Sequence, residues 1–211
     1  MNRFGLRIAV PRGTMLGDTL DRLDRIGVPT DEVRGNDRRL LFDEAGIVTM
    51  RPSDVATYVE AGAADVGITG KDVLMEQAGR DVVELADLGY GPCRMILASV
   101  AGDPDPAAEA LRRLGHLRVA TKYVRIATDY FGRTGRQVEL VKVNGSVELA
   151  PLTGLVDAIV DLTATGTTLR ENGLVEREEI ARSTARLIAN PASHRLRAAG
   201  VDALREALLA D

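Results

Sequence analysis

Short apolar runs of strand length alternate along this chain with segments of helical spacing, and that alternation restricts the fold more than any other feature. Residues 6–10 (LRIAV) read as a buried strand entering a Pro-Arg-Gly turn. Residues 15–26 place apolar side chains at Met15, Leu16, Leu20, Leu23 and Ile26, which is helical spacing. Residues 40–42 and 47–50 flank Asp43-Glu44-Ala45-Gly46 and predict a hairpin. A helix follows, with Ser53 as its expected N-cap, then a strand over 64–70 and a helix opening at Lys71. Residues 82–88 and 94–100 read as two more strands, separated by Gly89-Tyr90-Gly91-Pro92.

Beyond Gly102-Asp103-Pro104-Asp105-Pro106 the pattern restarts. It gives a helix over 107–114, a strand over 118–121, a helix near 124–131 and a strand over 138–143. A helical turn near 147–153 and a strand running into Asp161 follow. The tail over 192–209 is helical, with Leu196, Val201, Leu204 and Leu208 apolar. Alternating elements of this kind predict parallel α/β sheets, and two rounds of alternation predict two lobes. The expected division is a discontinuous first lobe, 1–90 plus about 178–211, and a second lobe over 91–177. A cleft between lobes is the default place for a ligand.

Composition narrows the partners. The chain has 211 residues and a formal net charge of −4, so it offers no broad basic platform for nucleic acid or an anionic membrane. Aromatic residues are 3% and tryptophan is absent, which disfavours stacking on single strands. Cys93 is the single cysteine, so it forms no internal disulfide and no cysteine-based zinc site. His116 and His194 are too few and too far apart to suggest a direct metal site. Arg7 and Pro11 break up the N-terminal apolar stretch, and no run approaches the ~20 residues of a membrane span. A cytoplasmic protein is expected.

The stretch 161–172, DLTATGTTLREN, leaves a strand at an acid and crosses four threonines around one glycine. Gly166 permits close backbone approach. If a helix opens near Thr167, amides of residues 165–168 and the threonine hydroxyls can face one anion. Asp161 is badly placed as a phosphate partner but suits sugar hydroxyls, or a metal held through water. The pattern describes a site for a 5-phosphorylated ribose. On spacing alone, a Thr/Gly surface turn with an ordinary helix start remains equally open.

Residues 144–174, NGSVELAPLTGLVDAIVDLTATGTTLRENGL, closely resemble the phosphoribosyl-diphosphate-binding region of the ATP phosphoribosyltransferases. LRIAVPRG, RRLLF, RPSDV, ADVGITGKDVL, LGYGPCRM and ATKYVRIATDYF also resemble segments of that family, in its order. The resemblance implies two α/β lobes like those of type II periplasmic binding proteins. It implies attack of N1 of ATP on the anomeric carbon of phosphoribosyl diphosphate, with pyrophosphate leaving with Mg²⁺. That reaction opens histidine biosynthesis. The length matches the family's short form, without a C-terminal regulatory domain. Short-form subunits work with a separate regulatory subunit resembling histidyl-tRNA synthetase, and a homodimer is expected.

By the same resemblance, Asp161 and Glu148 contact the ribose hydroxyls. Thr163, Ala164, Thr165, Gly166, Thr167, Thr168 and Leu169 wrap the 5-phosphate. Arg12, Gly13, Arg38, Arg51 and Lys71 are the candidates for ATP or pyrophosphate, with Arg39 beside them. The family turn Pro-Lys-Gly-Arg reads Pro11-Arg12-Gly13-Thr14 here, one cation fewer. Cys93 is assigned no chemistry. Adenine N1 already carries a lone pair, so no general base is required, and no Ser/His/Asp or Cys/His set is visible. Catalysis is expected from positioning and charge stabilisation. The competing reading is a cytoplasmic two-lobed sensor for a small ligand. The two adjacent acids common to other phosphoribosyltransferases are not met, since Leu162 follows Asp161.

Overall fold

The computed structural model describes residues 2–210 and divides into two compact units. The first runs to Pro92 and resumes at Thr184; the second is Cys93–Ser183. The return therefore lies beyond the expected boundary at 177.

The first unit opens with β1 (Ile8–Pro11), α1 (Leu16–Arg25), α2 (Asp31–Arg34), β2 (Leu41–Phe42) and β3 (Ile47–Met50). It continues through α3 (Pro52–Glu60), β4 (Val66–Gly70), α4 (Lys71–Glu76) and β5 (Val83–Asp87). The second unit comprises β6 (Cys93–Val100), α5 (Pro106–Leu114), β7 (Leu117–Thr121), α6 (Val124–Thr134) and β8 (Val138–Lys142). To these it adds α7 (Leu149–Leu152), β9 (Ala158–Thr163), α8 (Thr167–Glu171) and β10 (Leu174–Ser183). The chain then re-enters the first unit as β11 (Ala185–Ala189), α9 (Pro191–Leu196) and α10 (Ala198–Ala210).

The first sheet has the order β2-β3-β1-β4-β11-β5 among the described residues. Its centre, β3-β1-β4, is parallel, as the alternating pattern predicts. The expected hairpin is present, with Leu41 opposite Val48 and Phe42 opposite Ile47. The sheet is not wholly parallel, however. β11 runs antiparallel to both neighbours, β4 and β5, because it is the returning chain. The second sheet, β10-β6-β9-β7-β8, repeats the plan: β9, β7 and β8 are parallel, while β6 and β10 are antiparallel.

Each sheet buries its own core. In the first, Ile8, Val10, Phe42, Ile47 and Ile68 meet Leu20 and Leu23 of α1 and Val201, Leu204 and Leu208 of α10. In the second, Ile96, Ala98, Ala120 and Ile159 pack with Val147, Ala150, Leu169 and Leu174. Near the crossover, the Tyr90 hydroxyl meets Thr19 Oγ1 at 2.6 Å, and burial pushes the phenol pKa up to about 12.

One cap differs from expectation. The N-cap of α3 is Arg51, with Pro52 at the first helical position, and the Ser53 hydroxyl donates to Asp54 instead. Proline there needs no capping acceptor, since its missing N–H is one the first turn leaves unpaired anyway. No helix among the described residues is long and apolar enough to cross a membrane.

Candidate active site

In parallel α/β sheets, ligands gather beyond the carboxyl ends of the strands. In the first unit, three adjacent parallel strands end directly before a candidate cation. Arg12 follows β1, Arg51 follows β3 and Lys71 follows β4, and the register pairs Pro11 with Met50. These side chains are not equally free. Arg12 Nε donates to Thr49 Oγ1 at 2.9 Å and Nη2 to the Arg39 carbonyl at 2.8 Å, while Nη1 reaches the Asp37 carbonyl. Its guanidinium pins residues 37–39. Lys71 is paired with Glu84 at 2.5 Å, and Glu84 also lies 3.5 Å from Arg186. Arg39 is paired with Glu32 at 2.6 Å. Arg38 and Arg51 are exposed and have no side-chain partner among the described residues, so they keep their donors available to an anion. Gly13 is exposed with a positive φ of 84°.

In the second unit, the corresponding ends carry the acids and the threonine loop. Asp161 lies inside β9, not at its end, because the strand continues to Thr163. Since Thr121 is opposite Val160, Asp161 emerges one residue past the end of β7. Its side chain is 16% exposed. Oδ1 accepts from the Leu162 amide at 2.8 Å, while Oδ2 has no hydrogen-bond partner among the described residues. Burial raises the carboxyl pKa above its ordinary value. The Leu162 N–H and Lys122 pull it down, and Glu148 pushes it up. Glu148 stands immediately before α7, on a turn that holds Ser146 at φ 47°. A non-glycine residue in the left-handed region is an uncommon and strained conformation. Glu148 acts on Asp161 as a like charge.

The loop after β9 is built by its own threonines. Gly166 adopts φ 71° as the cap of α8, and its N–H donates to Thr163 Oγ1 at 2.8 Å. That amide is therefore engaged within the loop. The Thr165 and Thr167 hydroxyls lie 2.9 Å apart. The amides of Thr168 and Leu169, in the first turn, have no acceptor among the described residues. Leu169 is buried in the core at 6% exposure, so its side chain anchors the loop. Ala164 and Thr168 are exposed.

Two residues of this region had no role assigned from sequence. Arg170 folds back over the loop, donating to the Thr165 carbonyl at 3.0 Å and to Thr167 Oγ1 at 3.1 Å, and supplies the positive charge the threonines lack. Lys122 stands 3.9 Å from Asp161 Oδ1. Its signal was its place directly after the strand of ATKYV. Among the described residues no group of three or more His, Cys, Asp or Glu could hold a metal ion.

The ATP phosphoribosyltransferase family model matches residues 51–210. An ATP phosphoribosyltransferase of Rubrobacter xylanophilus is 54% identical over 202 residues, covering 95% of this chain and 93% of that protein. One from Desulfitobacterium hafniense is 44% identical over 216 residues, covering 99% and 96%. Among solved structures, an ATP phosphoribosyl transferase (HisG:HisZ) complex from Thermotoga maritima contains a similar chain. The TM-score is 0.79 at 33% identity, with 96% of this chain and 95% of that one covered. A protein solved with bound L-arginine, Tv2483, shares the fold at TM-score 0.58 and 16% identity, covering 93% and 82%. The two α/β units, the acid-and-threonine loop and these matches agree: the chain belongs to the ATP phosphoribosyltransferase family.

Proposed function

We infer that this chain catalyses the transfer of the phosphoribosyl group of phosphoribosyl diphosphate to N1 of ATP, the first step of histidine biosynthesis. The observation that carries the site assignment is the end of β9. A mostly buried carboxylate with an open acceptor atom stands two to eight residues before a loop of hydroxyls and unpaired amides. Asp161 and Glu148 accept from the ribose hydroxyls. The amides of Thr168 and Leu169, the hydroxyls of Thr163, Thr165 and Thr167, and Arg170 surround the 5-phosphate. Unpaired first-turn amides suit an anion in this way.

Adenine N1 attacks with its own lone pair, so no side chain has to remove a proton. Positive charge develops on the anomeric carbon as pyrophosphate departs. Carboxylates at the ribose stabilise that charge, and cations stabilise the leaving group. Arg38 and Arg51 are the freest guanidiniums for the triphosphate or pyrophosphate. Arg12 and Lys71 would have to exchange protein partners for ligand oxygens. Mg²⁺ is taken as part of the substrate, carried by the diphosphate, and neutralises the leaving group.

The Thermotoga maritima relative is a HisG:HisZ complex. By analogy a regulatory subunit resembling histidyl-tRNA synthetase partners this chain, which itself forms a homodimer. The comparisons lend the sensor reading no support.

The test is a direct assay with ATP, phosphoribosyl diphosphate, Mg²⁺ and pyrophosphatase, followed by absorbance or mass. Phosphoribosyl-ATP is expected from the chain alone or after adding the partner. Binding of both substrates without product in either case would overturn the reading.

A further inference from the structure

We propose that Lys122 is a positioning residue for the transfer: its ammonium keeps Asp161 a charged acceptor for the sugar hydroxyls without occupying the oxygen those hydroxyls need. The inference rests on the reading of Asp161 as a ribose contact and deepens it.

The geometry begins with the register. Thr121 is opposite Val160 in the parallel pair of β7 and β9. The next residues on each strand, Lys122 and Asp161, therefore leave the sheet side by side. The Lys122 ammonium lies 3.9 Å from Asp161 Oδ1 and 4.9 Å from the Tyr123 ring centroid. A separation of 3.9 Å is close for Coulombic attraction yet too long for a hydrogen bond. The cation thus compensates the carboxylate while leaving Oδ2 open. Contact with the aromatic face holds the flexible side chain there.

The surrounding charges make this compensation necessary. Glu148, before α7, is a like charge. The Leu162 N–H is the single hydrogen-bond donor to Asp161 among the described residues. On the neighbouring strand Ile96 is opposite Asp161, and Arg94, opposite Thr163, is committed to Glu176 and Glu179. Arg170 of α8 is committed to the loop. Lys122 is therefore the cation beside Asp161, a mostly buried acid that also feels the like charge of Glu148. Without it, an acid already disfavoured as an anion would take up a proton more readily, and a protonated Asp161 would accept poorly from hydroxyls.

The test measures binding of Mg²⁺–phosphoribosyl diphosphate by calorimetry from neutral pH downward. It compares Lys122→Met, Lys122→Arg and the unmodified chain, in complex with the regulatory subunit if assembly is needed. Ratios of variant to unmodified affinity cancel the ligand's own ionisation. The Lys122→Met ratio should fall several-fold as pH falls, while the Lys122→Arg ratio stays flat. A Lys122→Met ratio that is independent of pH overturns the proposal. If that constant ratio is well below one, Lys122 contacts the diphosphate directly; if near one, it has no role. Asp161→Ala, which removes the acceptor altogether, separates the two levels: unchanged binding by that variant would remove the ribose assignment itself, whatever Lys122 does.

Discussion

At the scale of single residues, function and stability pull against each other at Asp161. Its folded-state pKa lies above the ordinary 3.8, mainly because burial disfavours the anion. A carboxyl raised in this way favours folding most below its unfolded pKa, and that contribution is lost as pH rises through the folded value. At neutral pH the ionised group therefore costs stability. Asp161→Asn should raise the melting temperature at pH 7 while abolishing turnover. The gain should vanish near about pH 4, where unmodified Asp161 is already being protonated in both states. Thermal melts at the two pH values, with the product assay alongside, check the trade. Equal melting temperatures at pH 7 would mean the carboxylate is better solvated than its surroundings indicate. Arg12 shows a different commitment: its guanidinium is occupied in bracing residues 37–39.

At the scale of elements, the parallel cores depend on close packing of helix on strand. Gly67 in β4 lies under α3, where a Cβ would stand 2.6 Å from Val55 Cγ1, 2.8 Å from Val59 Cγ2 and 3.3 Å from Ala9 Cβ. Those side chains are fully buried and cannot retreat without moving the helix. Gly67→Ala should destabilise the first unit by about 1–3 kcal/mol, read as a lower denaturant midpoint with an unchanged slope. The element most hidden from a reading of sequence was β10. LVEREEIARS mixes charges through the strand, and its pairing with β6 shifts register between Glu176 and Glu178 and again between Glu179 and Ala181. Two bulges on a sheet-edge strand destroy the period-two alternation that marks a strand. The end of β9 was misjudged for a related reason. Asp161 and Thr163 are polar, yet their backbones still pair with Ile96 and Arg94.

At the scale of the molecule, the returning tail completes the first unit. Asp65, 11% exposed, accepts from the Arg7 amide at 2.8 Å, from Ser193 Oγ at 2.7 Å and from Arg197 Nη1 at 2.9 Å. It ties β1 to the residues that follow β11. Asp65→Ala removes the acceptor shared by these three part-buried donors and should cost about 2 kcal/mol. Chemical denaturation, with the Ser193→Ala variant for comparison, checks this; a loss no larger than that of Ser193→Ala would show that the carboxylate does not carry the tie.

The sequence by itself determined the succession of parallel strands and helices, the two rounds of it, and the acid-then-threonine loop at 161–172. Those features are written in local periodicity and in residue types whose chemistry is local: threonine hydroxyls, a glycine with positive φ, an acid after an apolar run. Only the tertiary structure decided which cations are free. Arg12 and Lys71 look like Arg51 in sequence, but their partners at Thr49, Arg39 and Glu84 come from other strands and loops. It also decided that β11 fills the gap between β4 and β5, and that Lys122 stands beside Asp161. Long-range pairing depends on which strand edges meet and in what register, and a one-residue shift would turn each of those side chains elsewhere.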